Sequence, residues 1–138
     1  KTGGMFVTCI LGEYNTRTDE IRWVNGGHQP AVLRSSSGNY EQYESKSPPM
    51  GVILQKDKSV YNVMKTKLED KRFFAFTDGL SESLNSAGEE IGIDGSLKII
   101  EENFNLDSSK QLSDISNSVI KNAGSKLSDD LTLISIGK

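Results

Sequence analysis

Two stretches place carboxylates where an extended segment ends or begins. Asp78-Gly79 follows the apolar run Phe73-Phe74-Ala75-Phe76, and Asp129-Asp130 directly precedes residues 131–136, LTLISI. A carboxylate at a strand end is held by stiff backbone and points into the space beyond the sheet. Two such ends on adjacent strands bring like charges together, and these repel unless a cation sits between them. Hard divalent cations such as Mg²⁺ and Mn²⁺ prefer oxygen ligands, and the absence of a Cys/His cluster argues against zinc. Gly79 would let the backbone turn sharply or let a neighbour approach closely. Glu82 lies one helical turn beyond Asp78, with Glu89-Glu90 further on. From spacing alone, a plainer reading is favoured: a turn at Asp78-Gly79 and a surface pair or strand cap at Asp129-Asp130.

His28 is the chain's single histidine and follows Gly26-Gly27. Such a residue can act as a general acid or a metal ligand, but ordering a loop by hydrogen bonding is its commoner use and is favoured here. The glycine pair lacks the following Lys and Ser/Thr of a phosphate loop. Cys9, the single cysteine, lies in an apolar strand pattern and reads as a buried small hydrophobe, not a nucleophile. One cysteine excludes a disulfide framework and fits a reducing compartment.

The elements that must position these residues are mostly strands. Residues 5–11, 20–25, 31–34, 40–45, 60–68, 72–77 and 131–136 carry β-rich or alternating patterns, separated by turn residues. The first two suggest a hairpin, with the turn in 12–19. Residues 95–104 and 108–123 carry helical spacing. In the second of these, Leu112, Ile115, Val119 and Ile120 mark the apolar face, Asp107 or Ser108 caps the start, and Gly124 stops the end. Strands, then helices, then one strand make an α+β fold of antiparallel β-sheets with flanking helices. A length of 138 residues suits a single domain over 1–138.

Composition narrows the function classes. The net charge is −3 and no Lys/Arg cluster occurs, which argues against nucleic acid. No apolar run approaches the roughly 20 residues of a membrane span, and the N-terminal stretch lacks the features of a signal peptide. A cytoplasmic protein without membrane contact is expected.

Four segments then fall into one order: GMFVTCILGEYNTRTDEIRWVNGGHQPAVL, PPMGV, FFAFTDGLSESLNSAGEEIG and SDDLTLISI. Together they resemble the SpoIIE-type bacterial branch of the metal-dependent serine/threonine phosphatases of the type 2C fold. The resemblance runs from Gly4 to Ile136. It implies that Asp78 and Asp129 are catalytic metal ligands, that Asp130 and Gly79 support them, and that His28 plays at most a part near the substrate. It implies two Mn²⁺ or Mg²⁺ ions and hydrolysis of phosphoserine or phosphothreonine by a metal-activated water, with no covalent intermediate. The implied partner is a phosphorylated regulatory protein, such as an anti-sigma-factor antagonist, in stress-response or sporulation signalling.

The chain departs from the family pattern in one respect. The family's D-x-S-G motif, which supplies the aspartate bridging both metals, is not found in the sequence. The expectation is therefore a C-terminal part of an α-β-β-α sandwich, inactive alone, with an uncovered sheet face that favours a homo-oligomer. The alternative is a non-catalytic type 2C-like regulatory or interaction module.

Overall fold

The computed structural model describes residues 4–53, 60–105, 107–122 and 129–137. They form two compact units, one running to Ala75 and including Gly137, the other running from Phe76 to Ile136.

The first unit is built from two antiparallel sheets. Strands β1 (Cys9–Asn15) and β2 (Glu20–Gly26) form the expected hairpin, and β5 (Met64–Lys67) joins the far edge of β2. Asn15 closes the hairpin turn, its Oδ1 accepting from the amides of Arg17 and Thr18 at 3.0 and 3.2 Å. In the second sheet β3 (Ala31–Ser35) lies between β4 (Tyr40–Tyr43) and β6 (Lys71–Phe76). Alternation along β2 buries Ile21, Trp23 and Asn25 and exposes Arg22. Trp23 links the sheets: its ring meets those of Tyr43 and Phe73 edge-on, each at 5.3 Å between centroids. Strands β3 and β6 are buried through nearly their whole length, which explains their continuous apolar runs.

Two strand expectations shift. β1 begins at Cys9, not at Met5, because Val7 leaves β2 and bonds Met50 instead, with N–O distances of 2.9 and 2.8 Å. The strand then runs on through the expected turn, since residues 12–15 pair with 20–23. Of residues 60–68 only Met64–Lys67 forms a strand, as Asn62 is drawn to the Lys46 carbonyl and the Ser47 hydroxyl. Cys9, expected to be a buried small hydrophobe, is only half-buried, its Sγ 3.5 Å from Met50 Sδ. By alternation it shares the outer face of β1 with the exposed Leu11.

The second unit holds three helices and a strand: α1 (Asp78–Ser81), α2 (Gly92–Glu102), α3 (Ser108–Asn122) and β7 (Leu133–Ile136). Asp107 caps α3, its Oδ1 accepting from the amides of Ser109 and Lys110 at 2.9 and 3.1 Å. The buried stripe of α3 is Gln111, Ile115 and Val119, while Ile120 is 39% exposed. The apolar face is thus rotated from the one expected, because the buried polar Gln111 takes a position that hydrophobicity could not flag. The α2 core residues are Ile99 and Ile100. Asn103 joins the two helices, accepting from the Ser118 hydroxyl at 3.1 Å. Gly124, expected to stop α3, lies outside the described residues. No helix among them is long and apolar enough to cross a membrane.

Candidate metal centre

The apolar strand β6 ends at Phe76, and Thr77 is the joint after it. Asp78 does not form a simple turn. It opens the single-turn helix α1, and the Glu82 amide donates to its carbonyl at 2.7 Å. Its side chain folds back locally, Oδ1 accepting from the Gly79 amide at 3.1 Å. Asp129 repeats the arrangement, Oδ1 accepting from the Asp130 amide at 2.7 Å. Both carboxylates are exposed. Each uses one oxygen to fix its own rotamer.

Backbone contacts bring the two stretches together. Thr77 N donates to Thr132 O at 3.0 Å, and Thr77 Oγ1 donates to Asp130 O at 3.0 Å. The Thr132 amide returns a bond to Thr77 Oγ1 at 2.9 Å. Gly79 is buried against the same segment, and a Cβ on it would lie 2.4 Å from Asp130 O and 2.9 Å from Asp130 C. A side chain there would collide with main chain, so only glycine fits this approach. The residues adjoining Asp78 and Asp129 are therefore in direct contact, although the aspartates lie far apart in sequence.

His28 belongs to the other unit. Its amide donates to Asn25 Oδ1 at 2.8 Å, and its ring Nδ1 lies 3.4 Å from the Gln29 carbonyl. The residue that orders this loop is the fully buried Asn25, whose Nδ2 also donates to Gln29 O at 2.9 Å. Ser45 completes it, accepting from the Gly27 amide at 2.7 Å and reaching the Asn25 carbonyl at 2.8 Å. Gly27 has a φ of 72°, and a Cβ on it would lie 2.4 Å from the Pro49 ring. Asn25 and Ser45 escaped the sequence reading, although an asparagine at an inward position of an alternating strand is a usable signal.

Glu82 is exposed, and Glu89 is engaged with Asn85 in the following loop. Electrostatic tension also arises in the sheet that holds β3, β4 and β6. Burial, and then the facing Arg34, pushes the Arg72 guanidinium below its usual value. On its rim Lys71 Nζ and Glu41 Oε1 pair at 2.6 Å, which lowers the Glu41 carboxyl and raises the Lys71 ammonium.

The donor set suits a hard divalent cation in kind: exposed carboxylates on rigid backbone, with no sulfur or imidazole among them. It is short in number, since such an ion takes about six oxygens. Among the described residues, no three His, Cys, Asp or Glu side chains gather as a ready cage.

The antiparallel sheets with three helices match the architecture of type 2C phosphatase domains. The phosphatase domain of SiaA from Pseudomonas aeruginosa superposes with a TM-score of 0.76 at 14% identity, over 93% of this chain and 50% of that one. The phosphatase domain of SpoIIE from Bacillus subtilis, presoaked with manganese, gives 0.68 at 14% identity, over 94% and 55%. The chain belongs to the SpoIIE (stage II sporulation protein E) family, whose sequence model matches residues 1–137. The phosphoserine phosphatase RsbP of Bacillus subtilis is 30% identical over 77 residues, 56% of this chain and 19% of that protein. The chain spans about a fifth of the length of the curated relatives it matches.

Proposed function

We propose that the chain forms part of one metal-dependent domain that removes phosphate from phosphoserine or phosphothreonine on a regulatory protein in the bacterial cytoplasm. The observation that carries this reading is the contact of Thr77 and Gly79 with Asp130, which sets Asp78 beside the Asp129 segment. The family and the manganese-soaked SpoIIE neighbour support it. Two bound Mn²⁺ or Mg²⁺ ions would supply an activated water and neutralise phosphoryl charge. Asp78 and Asp129 would hold them, each through the carboxylate oxygen that its neighbouring amide leaves free. Gly79 sets the separation of the two backbones, and Asp130 anchors the second by its carbonyl. The regulatory partner would be an anti-sigma-factor antagonist or a protein of that kind.

A second reading, a non-catalytic type 2C-like binding module, draws on the short ligand set. One experiment separates the two. Release of phosphate from a phosphoserine protein is measured with the full-length protein in Mn²⁺, beside Asp78→Asn and Asp129→Asn. Activity in the wild type that both variants lose supports the enzyme. No activity, or activity that neither variant changes, sinks the assignment.

A further inference from the structure

The Thr77 hydroxyl is used in both directions on one passing segment. It donates to Asp130 O and accepts from the Thr132 amide, while the Thr77 amide bonds Thr132 O. Antiparallel pairing would ordinarily continue past this point by main chain alone. Here it cannot, because the chain turns into α1 at Asp78. The hydroxyl supplies the missing rung and holds residues 130–132 alongside the strand end after β6 has stopped. Asp78 is the next residue after this rung, and Asp129 is the residue before the carbonyl it grips. The buried Gly79 packs against the same Asp130 main chain.

We propose that Thr77 is a positioning residue: its hydroxyl sets the spacing of the Asp78 and Asp129 carboxylates for a divalent cation. This rests on the phosphatase reading of the same site. A threonine used only as a strand cap would affect folding alone. A positioning threonine also governs metal affinity, as outer groups that orient ligands commonly do, by about 10- to 100-fold.

The test is Mn²⁺ binding to the full-length protein, followed by the loss of the free-ion EPR signal. It compares wild type, Thr77→Val, Thr77→Ser and Asn25→Ala, with melting temperature measured on each. Thr77→Val keeps the shape and removes both bonds, whereas Thr77→Ser keeps the hydroxyl. Asn25→Ala controls for destabilisation in the other unit. The expected result is about 10-fold or greater weakening in Thr77→Val, with Thr77→Ser and Asn25→Ala close to wild type. Equal affinity in Thr77→Val and wild type overturns the positioning role and leaves the phosphatase reading standing. A wild type that binds no Mn²⁺ overturns both. If Thr77→Val does not fold, Thr77→Cys, a far weaker donor and acceptor, is set against Thr77→Ser. Equal affinities in that pair also overturn the role.

Discussion

Two loops in this molecule are built around a glycine pressed against a neighbour, and they differ in what they leave free. At Gly27 a Cβ would strike the Pro49 side chain, and at Gly79 it would strike the Asp130 main chain. The polar group that organises the first loop is the Asn25 carboxamide, fully buried and consumed by the His28 amide and the Gln29 carbonyl. The organisers of the second are Thr77 and Gly79, and the carboxylates beside them stay exposed with an oxygen in hand. A buried, saturated group holds a fold together, whereas an exposed, half-used anion on a rigid backbone is ready for a cation. That contrast separates structure from chemistry better than residue type does. It also explains why His28, the residue with the more catalytic reputation, falls on the structural side.

The sharpest way to break the contrast is Gly79→Ala. The added methyl meets backbone, which cannot rotate away, so residues 129–131 must shift. Mn²⁺-dependent phosphatase activity should fall on the order of 10- to 100-fold, as for displaced metal-site supports. Wild-type activity in this variant would show that the aspartate spacing does not matter. Asn25→Ala comes next and should act on stability alone. It strands a part-buried amide and a part-buried carbonyl, costing about 1–3 kcal/mol in urea unfolding, with activity per folded molecule unchanged. His28→Ala should do less still. Its ring makes one long contact, so neither the melting temperature nor the Mn²⁺ dependence should move appreciably. A collapse of activity would place His28 in the chemistry after all.

A modest effect, confined to acid pH, is expected from the Glu41–Lys71 pair. Lys71 lowers the folded-state pKa of Glu41, so the pair's stability is present above the ordinary glutamate value of about 4.3 and is lost below it. Because the carboxylate is about half exposed, screening limits this to at most about 1 kcal/mol. Glu41→Gln should flatten the acid limb of a stability-versus-pH curve by that amount. An unchanged limb would mean the pair contributes nothing in solution.

Much of this was legible in the sequence where one physical signal dominates. Alternation exposed β2, and the unbroken apolar run exposed β6 as a strand buried throughout. The carboxylates at strand ends could be located by position. What stayed hidden depends on partners. β1 moved because pairing with β2, not its own composition, decides where it starts and stops. The single turn of α1 is too short to show a period. The buried face of α3 is centred on a glutamine, against the hydrophobic count. The Gly79 contact involves main chain more than fifty positions away, and no local pattern encodes that.

The same contact bears on when the site comes into being. Thr77 and Asp130 stand 53 positions apart, with Thr77 and Thr132 55 apart. Closing so long a span costs entropy before any contact rewards it, so it belongs to the later events of folding. On the ribosome, Asp78 is made before Asp129 and must wait for β7 to emerge before it meets its counterpart. Until then no paired anionic site exists to capture a metal ion. A nascent chain stalled before Thr132 should therefore lack hydrogen-exchange protection at the Thr77 amide, and release of the finished chain should bring it on.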